Sequence, residues 1–210
     1  MTTTNSQQNP AVATGNGDSP GFAALTEPLP GLREFLIHKR AALLALEAKA
    51  EQTPPVEPIV IRAHTVAEGR SGVRRIRIRD HRIISDSPPE FAGYDLGPGS
   101  PEIQLGVLSS CLTHIFEITA ARHEIVLDEL RVEVTAEIEP RRGTPGFENA
   151  PIEPHNISYQ VFVTSPEAAD RIDELFRIVE SQCPILALLT NPQTITGSLT
   201  LTPTPSDQRR

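Results

Sequence analysis

The spacing of apolar residues predicts an amphipathic helix over residues 29–53. Apolar side chains recur there with the 3.6-residue period of a helix, and charged residues occupy the other face. The positions of this apolar stripe are Leu32, Phe35, Leu36, Leu43 and Leu46. We expect the helix to end before Thr53-Pro54-Pro55, because proline interrupts a helix. Its stripe must pack on its own domain or on a partner subunit.

Alternation of apolar and polar residues, or short apolar segments between turns, predicts six strands. They lie at residues 58–66, 73–79, 81–85, 130–138, 157–163 and 194–201. In the second of them, Arg75, Arg77 and Arg79 alternate with Ile76 and Ile78. We interpret these three arginines as one solvated face of the strand.

Two further helices are predicted in the second half of the chain. The segment 101–121 is almost free of charge, and a helix that is apolar on nearly every side belongs in the centre of a core. Ser100 is expected to cap it and Pro101 to be its first residue. The other helix is predicted to open at Ser165-Pro166-Glu167 and carries an apolar stripe of helical period.

The predicted order of elements is therefore βββ–α–ββ–α–β. This order predicts an α+β domain in which antiparallel sheets pack on the central apolar helix, and it covers residues 57–203. Residues 1–28 are rich in Thr, Asn, Gly, Ser and Pro and lack periodicity, so we predict a disordered tail. Residues 204–210 are predicted to be a C-terminal tail.

Composition narrows the class of function. The formal net charge of −8 disfavours nucleic acid, since phosphate binding needs a positive field. We expect no membrane span because no apolar segment approaches 18 residues, and the first residues lack the apolar core of a signal peptide. We therefore expect a cytoplasmic protein. Two cysteines are too few for the disulfide framework of a secreted protein. In the cytoplasm a disulfide is catalytic or sensory more often than structural.

Cys111 is predicted to lie in the middle of the apolar helix. A helical arrangement surrounds it with Val107, Leu108, Ile115 and Ile118. Burial among aliphatic side chains raises the pKa of a thiol and makes it inert, so a reactive Cys111 needs a cation or a hydrogen-bond donor from elsewhere in the fold. The alternative is that Cys111 is a small packing residue.

Cys183 is predicted to lie at a helix boundary. Pro184 ends the preceding helix and can begin a new turn, so Cys183 is a candidate N-cap. Backbone amides at a helix N-terminus stabilise a thiolate. The alternative is again a buried structural cysteine.

The remaining polar residues offer little other chemistry. The histidines have no metal-ligand spacing, and a zinc site built from Cys111, His114 and Cys183 would lack an obvious fourth ligand. The glycines at Gly97-Pro98-Gly99 do not have the spacing of a phosphate-binding loop. No cofactor is predicted.

Three features together resemble the OsmC/Ohr superfamily over residues 57–203. A glycine-rich loop leads into Ser100-Pro101-Glu102, an apolar helix carries Ser110-Cys111-Leu112, and Cys183-Pro184 closes a second helix. The resemblance implies an OsmC-like fold and an intertwined homodimer, with helices between sheets built from both chains. It also implies a thiol peroxidase that reduces organic hydroperoxides in oxidative stress defence.

The resemblance also implies roles for individual residues. Cys111 would be the peroxidatic thiolate, and Cys183 the resolving thiol that forms a disulfide with it. A dithiol, such as a lipoyl group, would reduce that disulfide. Arg70, in a glycine–arginine turn, would stabilise the thiolate and Glu102 would tether that arginine, with Arg74 or Arg75 as alternatives. The other hypothesis is a redox-sensing or ligand-binding protein of this fold without peroxidase turnover.

Overall fold

A computed structural model describes residues 31–53 and 57–203 as helices, strands and connecting loops. The predicted tails at 1–28 and 204–210 lie outside these residues. The helices are α1 (Leu32–Glu51), α2 (Ser100–His123), α3 (Ala169–Gln182) and α4 (Pro184–Thr190). The strands are β1 (His64–Ala67), β2 (Arg74–Ile78), β3 (His81–Ser85), β4 (Glu129–Glu137) and β5 (His155–Thr164).

The strands form two small antiparallel sheets. One has the order β1–β2–β3, and the other pairs β4 with β5. Thr65 stands opposite Ile76 and Ile76 opposite Ile83 in the first sheet. The α+β class predicted from the pattern is confirmed, and five of the six predicted strands are present.

The predicted strand at 194–201 is wrong. These residues form no strand in the structure, and Ile195, Leu199 and Leu201 are between 81% and 93% exposed. The first predicted strand is also shorter than expected, since residues 58–63 are unpaired and exposed. Alternating side chains make a segment suitable for a sheet, but a strand forms only where a neighbouring backbone pairs with its N–H and C=O groups.

Two predicted helix starts also need correction. Gly99, and not Ser100, is the N-cap of α2, and its backbone N–H donates a 2.6 Å hydrogen bond to the Glu102 carboxylate. The helix α3 begins at Ala169, downstream of the predicted Ser165. The hydroxyl of Ser165 instead donates to the carbonyl of Val126, so this residue fastens the loop before α3 to the segment after α2.

The hydrophobic core lies on one side of α2. Leu108, Leu112 and Phe116 of α2 are almost fully buried against α3 and the β4–β5 sheet, while Val107 faces outward. The described residues of a single chain therefore cover only one side of the helix that the sequence predicts to be central. By length and composition α2 would also suit a membrane span, a criterion that core helices of soluble proteins pass as well.

Helix α1 packs along α2. Leu36 is buried in the common core, and Leu32 and Leu43 pack against it, whereas Phe35 and Leu46 stay exposed. Ion pairs fasten the two helices and the segment that follows α2. They are Arg33–Asp128, Lys39–Glu117, Arg40–Glu124 and Arg122–Glu47. Part of the α1 stripe therefore packs on its own domain, and ion pairs at the edges of this contact accompany the packing.

A buried polar network holds the loop that leads from β3 to α2. The Asp86 carboxylate accepts hydrogen bonds from the backbone N–H groups of Tyr94 at 3.0 Å and Leu96 at 3.2 Å. The backbone N–H of Ser87, followed by those of Leu96 and Tyr94, lowers the pKa of Asp86. The guanidinium of Arg74 donates to the carbonyl of Asp86 at 2.7 Å. This network positions the entry to α2.

Candidate active site

The two cysteines of the chain meet in the fold. Cys111 lies in the middle of α2, and Cys183 lies at the junction of α3 and α4. Their Sγ atoms are 3.4 Å apart, and both are free thiols. A disulfide bond is about 2.05 Å long, so a small shift of either side chain would join the two sulfurs.

The junction between α3 and α4 explains the position of Cys183. Pro184 cannot continue α3, and Cys183 takes an extended conformation with φ −74° and ψ 111°. Its Sγ accepts a hydrogen bond from the backbone N–H of Leu186 at 3.5 Å. The prediction that Cys183 caps a new helix is therefore confirmed. Its side chain is 0% exposed, so solvent does not reach this thiol directly.

Cys111 is only partly buried, and its surroundings act on its pKa in opposite directions. Burial has the largest effect and raises the pKa of the Cys111 thiol. The backbone amide of Ile185, in the first turn of α4, lowers the pKa, and the neighbouring Cys183 raises it. The net direction is upward, so the described surroundings favour the protonated thiol.

Cys111 opens onto a groove of about 540 Å³ along the outer side of α2. Most of the surface of this groove is apolar. Its lining residues are Pro98, Glu102, Ile103, Gly106, Val107, Ser110, Cys111 and His114. Cys183 does not line it. A small apolar molecule in the groove would therefore reach Cys111 and not Cys183.

The predicted supporting residues Glu102 and Arg70 lie in different settings. Glu102 lines the groove, but its carboxylate accepts the hydrogen bond that caps α2. Arg70 lies in the exposed turn between β1 and β2 and does not line the groove. Within residues 31–53 and 57–203, no hydrogen bond or ion pair joins Arg70 to Glu102 or Cys111. Their roles stay predictions.

Comparison with known proteins identifies the family. The profile of the OsmC-like protein family matches residues 93–198, which is half of the chain and includes both cysteines. The chain belongs to the OsmC-like protein family. No curated protein sequence matches it.

Solved structures of OsmC-like proteins resemble the chain at low sequence identity. An OsmC-like protein from Mycoplasma pneumoniae is 19% identical, with a TM-score of 0.53 over 64% of this chain and 89% of that one. An OsmC-like protein of unknown function from Vibrio cholerae is 12% identical, with a TM-score of 0.48 over 62% and 93%. An organic hydroperoxide resistance protein OsmC from Legionella pneumophila is 14% identical, with a TM-score of 0.41 over 65% and 91%. The Mycoplasma protein shows that the fold is OsmC-like.

The two alternative arginines of this OsmC-like chain have other partners. Arg74 donates to Ser85 and Ser87 and to two backbone carbonyls in the network around Asp86. Arg75 forms an ion pair with Glu68. Neither residue contacts Cys111 through any described hydrogen bond or ion pair, so neither arginine supplies, within the described part of one chain, the cation that the prediction requires.

Sequence reasoning missed two polar residues beside Cys183. The hydroxyl of Tyr159, on β5, donates to the carboxylate of Glu180, on α3. Burial raises the pKa of Tyr159, and Glu180 and Cys183 raise it further. Tyr159 occupies a core position of an alternating strand, and the sequence carries no local signal that this core position contacts a carboxylate.

Proposed function

We propose that this OsmC-like protein is a thiol peroxidase that reduces organic hydroperoxides. The observation that supports the proposal is the 3.4 Å separation of two free thiols, one of which opens onto an apolar groove. The groove suits an apolar substrate, and a thiol pair at this distance suits reversible disulfide formation. Membership of the family agrees with peroxide-related redox chemistry.

The difference in exposure supports different roles for the two thiols. Cys111 lines the groove, so its thiolate attacks an oxygen of the hydroperoxide. The S–O bond forms as the O–O bond breaks, and the leaving alkoxide takes up a proton and departs as an alcohol. Cys111 becomes a sulfenic acid. Cys183 is fully buried beside it and does not meet the substrate.

The buried thiol then resolves the sulfenic acid. The sulfur of Cys183 attacks the sulfur of Cys111 and forms a disulfide, and the thiol proton of Cys183 leaves with the sulfenic hydroxyl as water. A dithiol reductant, such as a lipoyl group, restores both thiols by exchange and is itself oxidised to a disulfide. We propose that this cycle runs in the cytoplasm, where a pool of reduced thiols maintains the reductant.

The first step also needs a positive charge near Cys111, because burial favours the neutral thiol. We propose that a homodimer supplies it, with Arg70 of one chain serving the groove of the other and Glu102 orienting the guanidinium. In the protomer the sheet that carries Arg70 packs mainly within itself, whereas the helices pack on one another and on β4. The arginine would therefore come from a second copy.

The distribution of exposed apolar residues supports the homodimer. Ile78 and Ile83 on the three-stranded sheet, Val107 on α2 and the unpaired segment 194–201 are all exposed in a single chain. Apolar surface of this extent usually marks an interface. A second copy would cover the outer side of α2 and offer backbone partners to the unpaired segment.

The homodimer predicts the mass of the protein in solution. Multi-angle light scattering of the full chain is expected to give twice the 22.9 kDa of one chain, with no monomer at micromolar concentration. The physical reason is the apolar surface that a single chain leaves exposed. A monomeric mass at every concentration would contradict the homodimer. It would also contradict the proposal that Arg70 of a second chain lies near Cys111.

The proposed cycle is tested by its stoichiometry. The reduced protein, treated with one equivalent of cumene hydroperoxide, is expected to lose two hydrogen atoms and to release one equivalent of alcohol, because Cys111 and Cys183 join. A Cys183→Ser variant is expected instead to gain one oxygen atom on Cys111, which dimedone captures. Intact and peptide mass spectrometry measures both. If wild type remains fully reduced with every hydroperoxide, the proposal is wrong.

One observation favours a second candidate function. The pKa of Cys111 is raised, and no described cation offsets this effect. A thiol held in its neutral form beside an apolar groove would suit binding of a small apolar ligand, or slow redox sensing, without peroxidase turnover. Under this alternative the same hydroperoxides would occupy the groove without being consumed in the presence of a dithiol.

A further inference from the structure

The three-stranded sheet has one face that concentrates positive charge. Antiparallel register places His64 of β1 opposite Arg77 of β2, and Arg77 opposite Arg82 of β3. Directly paired residues share a face, so these three side chains form a row across the sheet. The next row on the same face is Val66, Arg75 and Ile84. We call these six residues the basic face.

The charge of this region is opposite to that of the whole protein. Residues 62–82 contain seven arginines and two carboxylates, whereas the chain has a net charge of −8. The excess of arginine is confined to about one tenth of the chain. A local positive field on an acidic protein steers negatively charged partners toward that surface.

The carboxylates nearby do not neutralise the row of His64, Arg77 and Arg82, although Glu68 pairs with Arg75 in the next row. Arg77 has one loose ion pair, at 3.7 Å to Asp80, whose side chain is 98% exposed. Arg82 has no ion pair among the residues that the structure describes. Like charges directly opposite each other destabilise a sheet, so the Arg77–Arg82 pair costs stability in the free protein. An anion bound across the pair would remove this cost.

The basic face also stays available if the other side of the sheet is covered. The opposite face carries Ile76, Ile78 and Ile83. In the register of the sheet, Ile76 stands opposite Ile83, and Ile78 stands opposite His81. Packing of this isoleucine face against a second copy would leave the arginine face outward. The basic face is therefore independent of the proposed peroxidase site.

We propose that the basic face is a docking surface for an acidic segment of a partner protein. Val66 is 63% exposed and Ile84 46% exposed, and they stand on either side of Arg75. Arginine mixed with exposed apolar side chains is typical of protein interfaces. The face has no Phe, Tyr or Trp on which bases could stack, and the acidic remainder of the chain would repel a long polyanion.

The test uses a short synthetic peptide of glutamate and valine with a fluorescent label. Fluorescence anisotropy is expected to show binding to the full-length protein that weakens as salt rises from about 50 to about 300 mM. An Arg77→Glu/Arg82→Glu variant is expected to bind the peptide about tenfold more weakly, because the row changes sign. A matched Lys49→Glu/Arg177→Glu variant, with the same change of net charge at exposed sites elsewhere, is expected to bind as wild type does.

Two competitors separate the proposed partner from other anions. Single-stranded DNA and phosphatidylserine vesicles are offered to the same proteins under the same conditions. Tighter binding of either one than of the peptide, with the same loss in the double variant, would overturn the proposal of a protein partner. Equal peptide binding by the two variants would also overturn it. Circular dichroism checks that both variants are folded.

Discussion

Replacement of Cys111 by serine is expected to abolish the reduction of organic hydroperoxides. Cys111 is the thiol that lines the groove, and a serine hydroxyl at this position is neither ionised nor nucleophilic enough to attack a peroxide. Loss of a catalytic nucleophile lowers turnover by roughly 10³-fold or more. The measurement is the rate of cumene hydroperoxide consumption by the full chain with dithiothreitol as reductant.

The matched control for this variant is Ser181→Ala. Ser181 lies two residues from Cys183, is exposed, and donates a hydrogen bond to the carbonyl of Ile178. The Ser181→Ala variant is expected to consume hydroperoxide at the wild-type rate. A lower rate would report a general disturbance of the α3–α4 junction. If wild type were no faster than Cys111→Ser with any hydroperoxide, the peroxidase proposal would fall and the ligand-binding alternative would remain.

Replacement of Phe116 by alanine is expected to destabilise the protein by about 3–5 kcal/mol. Phe116 is 1% exposed in the middle of α2, and its ring centroid lies 6.2 Å from that of Phe176 on α3. Truncation leaves a cavity that rigid neighbours fill only in part. Urea unfolding at one fixed protein concentration measures the change, since association would shift the midpoint.

The control makes the same chemical change at the surface. Phe91 is 74% exposed in the loop before α2, and its replacement by alanine is expected to change stability by no more than about 0.5 kcal/mol. A loss at Phe116 no greater than that at Phe91 would contradict the described packing of α2 on α3.

Local patterns in the sequence predicted most of the elements. The alternation of Leu130, Val132 and Val134 with polar residues corresponds to β4, and the proline after Cys183 marks the end of α3. These features depend on period and on the chemistry of one or two residues, which are properties of the chain itself. The capping role of Cys183 is local in the same sense and was predictable.

The predictions that failed depend on partners distant in the chain. The alternating segment 194–201 is suited to a sheet, but none of the five described strands pairs with it. Ser165 is a good capping residue by type, yet its hydroxyl bonds to Val126, which lies 39 residues earlier. In both cases the sequence specifies what a residue is able to do and not which group lies beside it.

The same distinction applies to the candidate site. The sequence by itself determined an order of helices and strands that resembles the OsmC-like family. It also determined the presence of two thiols, one in an apolar helix and one before a proline. Only the tertiary structure decided that the Cys111 and Cys183 sulfurs lie 3.4 Å apart and that Cys111 alone opens onto the groove. It also showed that Arg74 and Arg75 already have partners. The physical reason is that distance, burial and charge pairing arise from the packing of α2 on α3 and α4, which depends on contacts between residues far apart in the chain.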